Sequence, residues 1–340
     1  MNHADPGPAP DTLILGSADV VAAFDWSEAI TALRRQYGAM MREDMFPPRT
    51  MARGDGVWLR TLSGVSPDGA IMGAKMIAAS LSARRASYLI PLFDQRTADL
   101  LALIDGNAIT GYRTAATTAL ALDALAPAGP VTLGVLGAGF EARNHVEALH
   151  AVREISEVSV FSPNPVSRVA FAQHLEPLGL RVRPLESARE VVGAEPTMLL
   201  CAARSRDEQP LFDGAWLRAG MTVASIGSTL PEQREVDPET IRRAALIVAD
   251  MPEEVAHDTG DMHAARDAGV SFKDKLVSLS DTISGAAAGR RTPEDIVLYK
   301  SVGAALQDLT VAAMCLERAG ALGLGRSIPA VIQAAQKSAG

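Results

Sequence analysis

Two cysteines, Cys201 and Cys315, are all that the 340 residues contain, so no disulfide framework can be drawn. Both are expected to be buried small apolar groups, and such sparing use fits a reducing cytoplasm. Aromatic residues are scarce as well, at 4% of the chain, which leaves a core built on aliphatic side chains and favours α/β architecture. No apolar run approaches the ~18 residues that a membrane span needs. The opening MNHADPGPAP has neither the basic nor the apolar region of a signal peptide and reads as a short proline-rich tail. Basic charge is also in deficit. Lys and Arg number 32 against 40 Asp and Glu, a net charge of -8, whereas nucleic-acid binding needs clustered cations to displace counterions from phosphates. No G-x-S-x-G elbow and no Cys/His nucleophile pattern occurs.

What is present is a chain 48% hydrophobic, long enough for two domains. Asp25 stands where an N-cap would, three residues before Glu28, and Ile30, Leu33, Tyr37, Met40 and Met41 follow at helical spacing. Residues 56–65, 71–80, 87–93 and 100–105 are then short β-compatible runs with turn residues between them. No helical pattern separates the first of these strands, so they are expected to pair antiparallel. Residues 113–125 read as an alanine-rich helix. From Val131 the pattern alternates: strands at 131–136, 157–161, 197–202, 221–226 and 245–249, helices at 141–151 and 166–175. Bare apolar strands alternating with helices imply a parallel sheet covered on both faces. Residues 295–319 and 328–338 are expected to be helical, with no further strands.

The strand at 131–136 runs into Gly137-Ala138-Gly139-Phe140-Glu141-Ala142, a G-x-G-x-x-A turn that opens a helix. Gly137 allows the tight turn, Gly139 lets the backbone approach a pyrophosphate, and Ala142 keeps helix and strand close. The helix N-terminus adds N–H donors and positive potential, with Phe140 and Glu141 meeting the phosphates through their backbone. Strand before and helix after is the context that turns a weak motif into a dinucleotide site, NAD or NADP. The second strand ends at Phe161 and is followed by Ser162, Pro163 and Asn164, with no carboxylate for a ribose 2′-hydroxyl. Arg168 could instead meet a 2′-phosphate, so the reading leans to NADP and leaves NAD open. The other possibility for Arg168 is an ordinary solvated helix residue. Ala202, Ser225 and Ile226 fall at strand C-termini, where α/β sheets hold ligands.

Five motifs, Pro47-Pro48-Arg49, Gly73-Ala74-Lys75, Arg113-Thr114-Ala115-Ala116, the glycine turn and Lys300-Ser301-Val302-Gly303, together resemble the ornithine cyclodeaminase/mu-crystallin family. The resemblance implies an α/β fold in which a Rossmann domain, a doubly wound parallel sheet at 126–299, is inserted into a discontinuous antiparallel α+β domain. That second domain, at 1–125 and 300–340, would bind substrate and form a homodimer. It makes Arg49 and Lys75 ligands of a substrate carboxylate, with Lys75 also able to reach the reacting nitrogen. It sets Arg113 and Thr114 against the cofactor phosphates, Arg113 also at the substrate edge, and turns Ser301 and Val302 toward the nicotinamide and substrate. An arginine fork suits a carboxylate on its own chemistry. Arg113 would moreover oppose the helix dipole at a helix start unless an anion lay nearby.

Where cyclodeaminases of the family carry an Asp after the strand at 221–226, this chain has Thr229. A hydroxyl cannot titrate near neutral pH as a base must, but it can hydrogen-bond an imine or a water. The implied activity is therefore reduction of an imino acid, such as a cyclic ketimine, by NAD(P)H, with Lys75 and Thr229 as catalytic candidates. An ornithine cyclodeaminase, an alanine-type dehydrogenase and a crystallin-like binding protein without turnover stay open. The segment His257-Asp258-Thr259-Gly260-Asp261-Met262-His263 has metal-ligand residue types in no recognised spacing and reads as a solvated loop, so no metal is expected. His145 and His150 read as helix-surface residues. The apolar strands at 56–105 outnumber the helices left to cover them, hence the expected dimer face.

Overall fold

The computed structural model describes residues 10–203, 208–330 and 332–335, with the Glu43 side chain left aside. The chain divides into two compact units, Met1–Arg113 with Ala304–Gly340, and Thr114–Gly303. In the first, β1 (Thr12–Leu15) and the helices α1 (Ser17–Ala23) and α2 (Trp26–Tyr37) precede five further strands. Asp25 caps α2 by accepting a hydrogen bond from the Glu28 amide at 3.0 Å. The helix ends at Tyr37, so the expected continuation to Met40 and Met41 is wrong, and Met40 lies exposed. The strands are β2 (Thr50–Gly54), β3 (Val57–Val65), β4 (Ile71–Ser80), β5 (Arg85–Asp94) and β6 (Leu100–Asp105). All four pairings from β2 to β6 are antiparallel, as the lack of a helical pattern between the first of them implied. The helix α3 (Gly106–Leu125) begins earlier than expected.

The second unit holds an eight-stranded, wholly parallel sheet. Its strands are β7 (Val131–Leu136), β8 (Ile155–Phe161), β9 (Val182–Pro184), β10 (Met198–Cys201), β11 (Thr222–Ser225), β12 (Leu246–Ala249), β13 (Leu276–Ser278) and β14 (Val297–Lys300), in the order β13-β12-β14-β11-β10-β7-β8-β9. The helices are α4 (Phe140–His150), α5 (Pro165–Leu175), α6 (Ala188–Gly193), α7 (Pro238–Arg243), α8 (Pro252–Asp258), α9 (Gly260–Asp267) and α10 (Leu279–Ser284). Strands β10, β11, β12 and β14 are buried throughout, as a sheet covered on both faces requires.

The strand β14 overturns the expected helix from 295. Ile296-Val297-Leu298-Tyr299 is a short continuous apolar run, and periodicity cannot tell a buried strand from a buried helix at that length. It lies between β12 and β11 in the middle of the sheet. Only after Gly303, at φ +84°, does α11 (Ala305–Leu322) return the chain to the first unit. The expected helix at 328–338 is also absent from its described part, where β15 (Arg326–Ile328) pairs antiparallel with β1. Residues 331 and 336–338 lie outside the described residues, as does most of the proline-rich start. The first unit's sheet thus runs β15-β1-β6-β5-β4-β3-β2. Helix α11 packs on β3, β4 and β5, with α1 and α2 alongside it. Both cysteines are buried and unpaired. Among the described residues no helix is long and apolar enough to cross a membrane.

Candidate active site

In the first unit, a glycine pair sets the geometry. Gly64 on β3 faces Gly73 on β4 in register. A Cβ at Gly64 would stand 2.6 Å from the Phe46 ring and 3.2 Å from Leu309 Cδ1, and one at Gly73 would overlap the Pro91 carbonyl oxygen. Without side chains there, Leu309 of α11 comes down onto the sheet. The residue before it, Asp308, is fully buried and meets Lys75, two residues along β4 from Gly73 on the same face.

Lys75 Nζ donates to Asp308 Oδ1 at 2.8 Å, and Arg113 Nε lies 3.1 Å from the same oxygen. Arg113 Nη1 donates to Gln307 Oε1 at 2.5 Å, and Gln307 Nε2 donates to the Tyr37 hydroxyl at 2.9 Å. The second oxygen of the carboxylate, Asp308 Oδ2, is buried and has no hydrogen-bond partner. Burial, then the neighbouring Arg113, lowers Lys75 to about 8; Asp308 opposes this and Arg49 adds to it. The half-buried Arg49 is therefore close enough for its charge to be felt. Two cations, Lys75 and Arg113, thus meet one carboxylate oxygen.

Sequence reasoning missed Asp308, Gln307 and Tyr37. Its argument for Arg113 also fails in part. Arg113 is the eighth residue of α3 rather than at its start, so the dipole does not bear on it. It is nevertheless buried, against Asp308.

In the second unit, the glycine turn behaves as its motif requires. Gly137 has φ +121°, and a Cβ on it would overlap the Ala202 carbonyl oxygen. Its amide donates to Phe161 O at 2.8 Å, tying β7 to the end of β8. Gly139 is the N-cap of α4, and a Cβ there would meet nothing within 4 Å. Open space over the first amides of an 11-residue helix fits a dinucleotide pyrophosphate. Phe140 is 60% exposed, Glu141 lies in the first turn, and Ala142 is buried against the strand. Ser162 follows β8, and Asn164 caps α5 through the Val166 amide. Arg168 is buried, donating to Leu185 O at 2.8 Å and Glu186 Oε2 at 2.9 Å, so it is no solvated helix residue. Thr114 accepts from the Thr118 hydroxyl on α3.

At the C-terminal end of this sheet lies a second buried charge cluster. Lys300 Nζ donates to Ser225 Oγ, to Ser228 O and Oγ, and lies 3.1 Å from Asp261 Oδ2. Asp261 Oδ1 takes the amides of Glu235 and Val236, and Oδ2 takes the Ser228 hydroxyl. Glu235 Oε2 accepts from Ser225 Oγ and the Gly227 amide. Burial raises Glu235 to about 7, against the pull of Lys300 and those two hydrogen bonds. Ile226 donates to Cys201 O, beside Ala202. Thr229 follows on the loop, its amide held by Gln233 Oε1 at 3.0 Å. Asp250, at the end of β12, takes the Ser301 hydroxyl and the amides of Val302 and Gly303.

Two expectations fail here. The segment at 257–263 is the junction of α8 and α9, with Thr259 and Asp261 fully buried, and not a solvated loop. His145 is buried too, its Nδ1 2.6 Å from Glu141 O.

The sequence profile of the ornithine cyclodeaminase/mu-crystallin family matches residues 74–322, from Lys75's strand to the end of α11. The chain belongs to that family. Among its relatives, a Delta(1)-pyrroline-2-carboxylate reductase of Bacillus cereus is 31% identical over 243 residues, 71% of this chain and 73% of that one. The ketimine reductase mu-crystallin of Mus musculus is 33% identical over 222 residues, 65% and 66% of the two chains. A solved family structure, the Thermococcus litoralis Delta(1)-pyrroline-2-carboxylate reductase in complex with NADH and L-proline, superposes with a TM-score of 0.84 at 27% identity. It covers 93% of this chain and 100% of that one.

Proposed function

We propose that the protein reduces an α-imino acid, a cyclic ketimine such as Δ1-pyrroline-2-carboxylate or a close analogue, to the amino acid with NAD(P)H. The observation that carries this reading is the buried Lys75, whose ammonium makes one hydrogen bond among the described residues, to Asp308, and so keeps donors for a substrate beside the cation Arg113. Bound NAD(P)H supplies the hydride. Arg49 and Arg113 hold the carboxylate, and the Lys75 ammonium, whose hydrogen bond to Asp308 uses one of three donors, supplies a proton to the imine nitrogen. Orientation of the C=N bond by these contacts provides much of the rate. The Gly137 turn, Phe140 and Glu141 cradle the pyrophosphate, with Ser301 and Val302, fixed by Asp250, on the nicotinamide side. Thr229, a neutral hydroxyl where cyclodeaminases have Asp, favours net reduction over release of ammonia. At the end of β8 no carboxylate repels a 2′-phosphate, which favours NADP; Arg168, already paired with Glu186, argues less for it than its sequence position suggested.

Oxidation of NADPH and of NADH with a panel of cyclic and linear imino acids tests the reading. Wild type and Thr229→Ser should be similar, and Thr229→Asp at least about tenfold slower, ~1.4 kcal/mol in barrier. Conversion of ornithine to proline and ammonia by the wild type, with no net NAD(P)H consumed, would sink it.

The outer face of the first unit's sheet supports a homodimer. Val57, Leu59 and Leu89 are exposed there, and Met76 and Pro91 are only half-buried beside them. A surface of this kind is an association site. Sedimentation showing a monomer at micromolar concentration would contradict it.

A further inference from the structure

We infer that Asp308 is a catalytic residue whose Oδ2 accepts the N–H of the substrate nitrogen, so that the site selects a ligand bearing a carboxylate and an adjacent protonated nitrogen. This rests on the imine-reductase reading above and names the group that holds the charge formed during the reaction.

The two oxygens of Asp308 are not equivalent. Oδ1 takes Lys75 at 2.8 Å and has Arg113 at 3.1 Å, while Oδ2 is buried without a hydrogen-bond partner. A carboxylate oxygen has acceptor capacity that is costly to leave unmet in a buried place. Arg113 is also held by Gln307, which Tyr37 fixes in turn. Asp308 is therefore braced through Oδ1 on α11 and keeps Oδ2 as an unmet acceptor.

The chemistry of an α-imino acid fits both halves. Its carboxylate is attracted to the cations at this place, Lys75 and Arg113. Its nitrogen takes a proton from the Lys75 ammonium, giving C=N–H⁺ and a neutral lysine that water reprotonates. The hydride, with its electron pair, then adds to the carbon while the C=N π pair moves onto nitrogen. Asp308 Oδ2 accepts the N–H from the moment it forms, and the negative charge beside it stabilises the cationic nitrogen that hydride attack needs. A ring oxygen in place of that nitrogen would set lone pair against lone pair.

Calorimetric titration of the full-length protein, saturated with oxidised cofactor, tests this with two rings that share one carboxylate. L-Proline carries N–H donors and tetrahydrofuran-2-carboxylate carries a ring oxygen. The wild type should bind L-proline at least about tenfold more tightly. In Asp308→Asn, checked for an unchanged fold by circular dichroism, that preference should fall to within about threefold. Asp308→Glu, which keeps the charge, should recover part of it. If Asp308 only braced Lys75 and Arg113, the Asn variant would weaken both ligands equally and keep the preference, and the inference would be wrong. A wild type that binds the two rings alike would overturn it whatever the variants do. The titration needs no turnover, so a failure to reduce imino acids would strike the activity reading and leave this result standing.

Discussion

Two lysines are buried as completely as any apolar residue in this protein, and they live in opposite company. Lys300, in the second unit, is saturated: two serines and Asp261 meet its ammonium, and a second carboxylate, Glu235, lies one hydrogen bond further on through Ser225. There, two carboxylates share one cation. Lys75, in the first unit, makes one hydrogen bond among the described residues, and its neighbours are cations. There, two cations, Lys75 and Arg113, meet one carboxylate. A saturated buried charge is a structural brace, because every partner it could want is already supplied by the fold. Lys75 keeps ammonium donors that no described residue takes, which the proposed function reads as capacity for a ligand. The difference in completeness, more than burial itself, separates scaffold from site.

Replacing each lysine by methionine is the most direct way to break that comparison. Lys75→Met should lose roughly 10²–10⁴-fold in imine reduction, the usual worth of a positioned proton donor. Its fold should persist, because Asp308 keeps Arg113 and the cation excess is reduced. Lys300→Met should do the reverse, strongly affecting stability. It strands Asp261 and Glu235 in the interior, a loss of roughly 3–5 kcal/mol in unfolding free energy. Urea unfolding of both variants, beside initial rates, reads the two effects separately. An unfolded Lys75→Met with a stable Lys300→Met would invert the assignment of brace and site.

The sequence made the two regions legible to different depths. The turn-separated strands β3 to β6, the glycine turn and the short motifs that contain Arg49, Lys75 and Arg113 were readable, since each rests on a local pattern. Strand β14 was not, because Ile296 to Tyr299 is apolar without period. Asp308 carried a usable signal that went unread: it is the one charged residue between Ala304 and Met314, all but one of them buried. A lone carboxylate on such a helix needs a buried cation. Glu235 and Asp261 carried no such signal. Glu235 sits among other charged residues and Asp261 in a segment that reads as a solvated loop, and only folding, which brings Lys300 to them, decides that these two turn inward.

A smaller effect sharpens the contrast from the anion-rich side. Glu235 is raised to about 7, first by burial, with Asp261 adding to the rise and Lys300, the Gly227 amide and the Ser225 hydroxyl opposing it. Burial and the same carboxylates hold the Cys201 thiol well above its ordinary range, so it does not titrate in this window. Because the folded protein binds the Glu235 proton more tightly than the unfolded chain does, its contribution to stability is complete below about pH 4.5. It declines as pH rises toward about 7 and levels off beyond, when both states are ionised. The full decline is at most about 3 kcal/mol, from the 1.36 kcal/mol carried by each unit of pKa. Glu235→Gln keeps the acceptor for Ser225 and Gly227 and has nothing to titrate. Its unfolding free energy, measured against the wild type from pH 4.5 to 8, should lose this part of the slope, and the variant should overtake the wild type at the alkaline end. Parallel stability curves for the two proteins would mean that Glu235 stays ionised throughout, with Lys300 compensating both carboxylates at once.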